Sequence, residues 1–263
     1  MTERLRIAWL TTGRGPGSFG ALEYLFGAID EGLPVEPAVV FINRDEGEAE
    51  ATDRLIAMVR GRGVPVETLS SVRYRKAVGG ERSKPGEPLP QWRHDYDAEV
   101  AARLARHGFE LGMMFGYMLI ATPPLFERFP FLNDHPALPD GPVGTYQQVI
   151  VRLIEQQARE SGCMMNLVTG AVDRGPVVSF CRFAIWDEAN AKLWEQVAEE
   201  APDDIEASAL YADIRARGVA RERPLVTETL RAVAAGRLEI PSPKPADLTE
   251  QVEERLRERA DIR

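Results

Sequence analysis

Three polar side chains suited to acyl transfer stand at loop and strand ends in the second half of the chain. In LNDHPALPDGPVG, Asn133 and His135 lie two residues apart at the end of an apolar run, and VTGAVDRGP places Asp173 in a turn. Alternation along a strand points residues i and i+2 to one face, so the amide and the imidazole can converge on one point. Carboxyl ends of strands are where open α/β sheets bind ligands. Of the three histidines, His94 and His107 fall in polar helical contexts, and only His135 falls at such an edge. An imidazole can shuttle a proton, an amide can donate to a developing oxyanion, and a carboxylate can orient the imidazole. A structural histidine beside a turn aspartate would leave the same trace.

A second chemical signal comes near the start. TTGRGPGSFG, residues 11–20, fits G-x-G-x-x-G at Gly15, Gly17 and Gly20, after a predicted strand and before a predicted helix with Ser18 as its cap. A dinucleotide site needs an acidic residue at the end of the second strand, and that strand ends in Asn43 and Arg44, with Asp45 one step later. Arg44 would suit NADP, which keeps an oxidoreductase among the readings. Independently of any cofactor, glycines permit close backbone approach, free N–H groups at a helix start attract phosphate, and Arg14 adds a charge. A tight turn without a ligand is the bland alternative.

The elements that must position these groups follow from apolar patterning. LRIAWLT reads as a buried strand, residues 18–31 as a helix and AVVFIN (38–43) as a second strand, which together make a βαβ unit. A helix near 46–62, a short strand at PVETLS, a helix bearing Val100 and Leu104, and the strand FELGMMF continue the alternation. Then come a short helix at 123–129, a strand at FLNDH, a helix near 145–160, and strands at GCMMNLVT and PVVSFCRFAI. Helical segments at 189–217 and 221–235 precede a Pro-rich tail with Leu248, Val252 and Leu256 on one stripe, expected to dock on the body rather than on a partner. Residues 70–92, rich in Gly and Pro, read as a long loop carrying Arg73, Arg75, Lys76, Arg82 and Lys84, either a solvated excursion or a flap over an anion. The pattern predicts an α/β, Rossmann-like, doubly wound and mostly parallel sheet of about seven strands flanked by helices.

With 263 residues the chain is long enough to bury a core in one main domain, and no apolar run is long enough to span a bilayer. No signal-peptide pattern precedes the first strand, so a cytoplasmic location is expected. Cys163 and Cys181 lie in apolar stretches without ligand spacing, which predicts buried free thiols and no metal. A net charge of −9 disfavours nucleic acid and anionic membranes as partners, while a local basic pocket and small anionic substrates remain open.

The order of these motifs resembles the phosphoribosylglycinamide formyltransferase family of folate-dependent formyl transferases over roughly residues 5–240. TTGRG, FINRD, RHDYD, MMFGYMLIATP, LNDHPALP, G-x-x-x-N-x-V with VDRGPVV, and RERPLVTETLRAVAAGRLEI carry the resemblance. The most diagnostic is N-x-H-P at Asn133, His135 and Pro136 with Asp173 downstream. The resemblance implies a catalytic domain over 1–240, with a phosphate-binding half to about 115 and a folate and catalytic half from about 116, followed by a linker and charged helix at 241–263. It implies that an amine attacks the formyl carbon of 10-formyltetrahydrofolate, that Asn133 and a protonated His135 stabilise the oxyanion, and that Asp173 favours the charged imidazole. It also implies a substrate site at Gly13, Arg14, Gly15, Arg93, Gly116 and Glu222, and a folate site at Met118, Leu119, Ile120, Thr169 and Gly170. The partners so implied are a small phosphorylated amine and a folate co-substrate, without metal, nucleic acid or membrane; a homodimer is compatible.

The chain departs from the family at several places. Asp134, Ala137 and a displaced proline alter N-I-H-P-S-L-L-P, Leu119 replaces an Arg, Asn166 replaces a His, Tyr146 stands near where another His is expected, and GRGPGS replaces the usual phosphate loop. These departures keep other readings in play: transfer to another amine such as an amino sugar nucleotide, hydrolysis of formyltetrahydrofolate, or silent binding of phosphate and folate. The acidic, helical C-terminal region argues against a tRNA substrate.

Overall fold

The apolar run at the start forms strand β1 (Leu5–Thr11), which lies between two parallel neighbours, β2 (Val35–Ile42) and β4 (Leu111–Met114). The computed structural model describes residues 4–84, 86–200, 204–242 and 244–260. Pro85 of the predicted loop, residues 201–203 of the predicted helical segment, and Pro243 and residues 261–263 of the tail lie outside the described residues. Two units divide the chain, Met1–Asn133 with Leu167–Gly175, and Asp134–Asn166 with Pro176–Arg263.

In the first unit the strand order is β3-β2-β1-β4-β5, all parallel, with β3 at Val66–Thr68 and β5 at Phe131–His135. Strand β2 begins three residues earlier than the pattern predicts. Pro37, which lacks an N–H, sits where the register slips between Ile7 and Ala8, so a bulge absorbs the missing donor. Helices α1 (Pro16–Asp30), α2 (Glu50–Gly61) and α4 (Gln91–Leu104) cover the strands, and Leu10, Phe41, Tyr96, Val100, Leu104 and Phe131 fill one core cluster. Strands buried on both faces read as continuous apolar runs, which is why β1 and β2 were recognisable.

Two expectations fail here. Ser18 does not cap α1: the cap is Gly15, without a side-chain bond, and Pro16 starts the helix, leaving Ser18 inside its first turn. The stretch 70–92 is not all loop, because Ser70 accepts from Arg73 N at 3.1 Å and caps α3 (Ser71–Ala77). Its basic residues are partly committed. Arg73 pairs with Glu48 at 3.0 Å and Asp45 at 3.5 Å, Arg75 donates to the Gly80 carbonyl at 3.1 Å, and Lys84 lies 3.7 Å from Glu87.

In the second unit β6 (Glu160–Leu167) and β7 (Val177–Ala184) pair antiparallel, and the tail adds an unpredicted parallel strand, β8 (Ala246–Asp247), to β7. The chain thus has eight strands among the described residues, mostly paired in parallel, where about seven were expected. Thr145 and Gln148 form a reciprocal capping box at α6 (Tyr146–Glu155). The break predicted between 217 and 221 is absent. Helix α8 (Ala209–Ala234) runs through Gly218 and Pro224, while α7 (Ala191–Glu200) precedes it separately. Cys163 and Cys181 are buried and free, as expected. No helix among the described residues is long and apolar enough to cross a membrane.

The tail helix α9 (Thr249–Ala260) docks within the second unit. Leu248 and Val252 are buried, Leu256 is half-buried, Arg221 pairs with Glu253 at 2.6 Å, and Arg255 reaches the buried Glu228 at 2.9 Å. Val252→Asp should therefore cost roughly 3 kcal/mol and make the tail the first site of limited proteolysis. An unchanged cleavage pattern and melting temperature would contradict this docking.

Candidate active site

The first unit gathers backbone and glycines at the ends of β1 and β4. Gly13 leaves β1 at φ +66°, and a Cβ there would lie 3.1 Å from Leu55 and 3.3 Å from Ile42, so both conformation and space select glycine. Its carbonyl accepts from Thr52 Oγ1 at 3.2 Å. The turn then opens α1 with no side-chain cap and no acid in the first turn, and Pro16 carries no N–H, so the N–H groups of Gly17 and Ser18 head the helix. Arg14 is exposed beside them. Gly116 belongs to the same corner, since its carbonyl accepts from Thr12 N at 3.0 Å.

The segment 118–122 is pinned at three points. Thr12 Oγ1 accepts from Met118 N at 3.0 Å, Arg93 donates to the Ile120 carbonyl at 2.7 Å, and Asp97 accepts from both N and Oγ1 of Thr122 at 2.7 and 2.8 Å. Between the pins Met118 (76% exposed) and Ile120 project outward, whereas Leu119 packs partly against the core. Arg93 itself is only 2% exposed, 3.6 Å from Asp97 and close to the rings of Trp92 and Tyr96, so it supports this segment rather than facing solvent. Burial holds the Asp97 carboxyl above its usual range, although Arg93 and the Thr122 bonds oppose the shift. Asp97 was missed in the sequence. The i,i+4 spacing of an Arg and an Asp among Trp92, Tyr96 and Val100 was the available signal.

Asn133, in β5, donates from Nδ2 to Asp173 Oδ1 at 3.2 Å, so two of the three predicted catalytic groups meet directly. Asp173 sits at φ +53°, a left-handed conformation that costs a non-glycine residue roughly 1–2 kcal/mol. The turn leaves no alternative two residues on, because a Cβ on Gly175 would fall 1.7 Å from the Leu167 carbonyl oxygen. Thr169 Oγ1 accepts from Ala171 N at 3.3 Å and shapes the same turn, with Gly170 exposed at its tip. His135 closes β5 two residues after Asn133 and is 3% exposed.

In the second unit Glu222 is 6% exposed and ion-paired with Arg215, so the carboxylate predicted to meet substrate is turned into the protein. Asp45 is likewise occupied, accepting from Ser70 N at 3.0 Å and pairing with Arg73, which removes the acid a dinucleotide ribose would need. Among the described residues no group of three or more His, Cys, Asp or Glu is placed to hold a metal ion.

A mostly parallel α/β sheet flanked by helices places the chain in the Rossmann-like class of folds. The family model described as "Formyl transferase" matches residues 30–205, and the chain belongs to that family of enzymes. Glycinamide ribonucleotide transformylase 1 from Symbiobacterium toebii is similar, with 25% identity, a TM-score of 0.65, and 95% of this chain and 96% of that one covered. The phosphoribosylglycinamide formyltransferase of Coxiella burnetii shares the fold at 20% identity and TM-score 0.61, with 89% of each chain covered. A formyltetrahydrofolate deformylase from Pseudomonas syringae shares it at 17% identity and TM-score 0.60, with 89% of this chain and 62% of that one covered. A comparison with curated proteins finds no match.

Removing one partner of the buried Arg93–Asp97 pair leaves an uncompensated charge. Asp97→Ala should cost roughly 3–5 kcal/mol in urea denaturation, more than Asp97→Asn, whose amide oxygen still accepts from Thr122. Equal losses for the two variants would show that the Thr122 bonds carry nothing.

Proposed function

We propose that this formyltransferase moves a formyl group from 10-formyltetrahydrofolate to the primary amine of glycinamide ribonucleotide or a closely similar phosphorylated amine. The observation that carries the reading is the 3.2 Å bond between Asn133 and Asp173, fixed by a left-handed turn. The same unit holds the Gly13–Gly15 turn at the head of α1, a fit for a phosphate, and outward Met118, Ile120 and Val172, an apolar fit for a pterin ring. The similar enzyme from Symbiobacterium toebii, a glycinamide ribonucleotide transformylase, favours this acceptor.

An amide nitrogen carries two hydrogens. With one held by Asp173, the second N–H of Asn133 is aimed and can donate to the formyl oxygen as negative charge develops on it. In this reading His135 passes a proton to the departing nitrogen, and Asp173 takes up the proton of the attacking amine. Thr169 and Gly170 belong to the turn that aims Asp173. Arg93 acts through residues 118–122 and Glu222 through Arg215, so neither is a ligand contact in this reading. The activity falls in purine biosynthesis in the cytoplasm.

The test is a steady-state assay of tetrahydrofolate release, with and without glycinamide ribonucleotide. Release that needs the ribonucleotide supports the proposal, release without an amine identifies a hydrolase, and no release in either case refutes both. Asn133→Ala should lower turnover roughly 100- to 1000-fold while leaving the melting temperature in place.

A further inference from the structure

Helix α7 buries no residue, although its apolar side chains recur at helical spacing. Leu193 and Val197, and Trp194 and Ala198, stand four apart on one stripe and stay half-buried or exposed. Trp194, Val197 and Ala198 line a groove of about 580 Å³, whose apolar walls are completed by Ile154, Ala158 and Trp186. That volume suits a small molecule. Every lining residue belongs to the second unit, and none is shared with the candidate active site.

The polar groups of the groove are held in place yet uncommitted. Trp194 Nε1 donates to the Ile185 carbonyl at 3.0 Å, which fixes its indole. Trp186, 38% exposed, lies under the Arg159 guanidinium, 4.4 Å from the ring centre. Among the described residues Arg159 has no carboxylate partner, and neither Glu155 nor Glu195, which also line the groove, has a cation. Gln157 ends α6 at φ +50°, the left-handed position that glycine normally takes after a helix, while its N–H donates to the Ile154 carbonyl at 3.0 Å. Its side chain lines the groove, so the strain falls where an amide can both donate to a ligand and accept from it.

These charges select among ligands. A simple anion would meet Arg159 but also two carboxylates, and a simple cation would find a face of Trp186 already taken by the guanidinium. A molecule bearing both charges satisfies both sets, and an apolar body fills the walls. We infer that the groove between α6 and α7 binds a zwitterion with an apolar body, namely an α-amino acid with a large apolar side chain. Its carboxylate would meet Arg159 and Gln157, and its ammonium a groove carboxylate. Burial of the side chain supplies the affinity and the charges supply the selectivity. The site goes beyond the formyl-transfer reading and does not depend on it.

The test titrates the full chain with L-phenylalanine across the millimolar range and follows intrinsic fluorescence. Trp186 and Trp194 line the groove, whereas Trp9 and Trp92 are buried, so a saturable shift is expected on binding. Phenethylamine lacks the carboxylate, hydrocinnamate lacks the ammonium and glycine lacks the apolar body; each should bind at least roughly tenfold more weakly. By calorimetry, Ala198→Trp, which fills the groove, and Arg159→Gln, which removes the cation, should each weaken L-phenylalanine by a similar factor and leave the melting temperature in place. No saturable shift, equal affinity for either singly charged analogue, or unchanged affinity in both variants would overturn the site. A shift produced by raising protein concentration alone would seat a second copy of the chain in the groove and would overturn it as well.

Discussion

Alternation along β5 gives neighbouring residues of one short strand to two different chemistries. Asn133 and His135 take one face and the half-buried Asp134 the other, so the backbone that aims a candidate oxyanion donor also bears an acid. The strand has little freedom to separate the two. Met114 of β4 pairs with Asn133, and Val168 N donates to the Phe131 carbonyl at 2.8 Å, fixing the strand's height in the first unit. A side chain that moves on either face must carry its neighbours with it.

The two buried ionic groupings illustrate different solutions to one problem. Arg93 stands 3.6 Å from Asp97, the guanidinium also donates to the Ile120 carbonyl, and the carboxylate also accepts from Thr122. Arg215 bonds to Glu222 seven residues on in the same helix and lies over the ring of Tyr146. The first arrangement suits a rigid support, since both partners are also bonded to residues 118–122. The second ties two turns of α8 together and turns a carboxylate inward.

Much of the fold was legible because strands covered on both faces announce themselves as apolar runs. β1 and β5 fall where expected to the residue. What escaped notice depended on tertiary context. A two-residue strand such as β8 has no pattern of its own, Pro224 and Gly218 look like breaks until α8 is seen packed, and Ser18 looks like a cap until Pro16 takes the first helical position. At the site, Asn133 and Asp173 were readable from residue type and turn chemistry. Arg93 and Glu222 matched family positions, but a matched letter does not reveal whether its side chain is turned inward.

The strand β8 also bears on how molecules of this protein behave towards each other. An uncovered edge of β7, eight residues long, would offer unpaired N–H and C=O groups to any other extended chain. The tail lays two residues along that edge and at once turns away into a charged helix, so the sheet ends in a strand too short to recruit another. The C-terminal segment thus contributes to colloidal behaviour, keeping concentrated molecules from joining sheet to sheet.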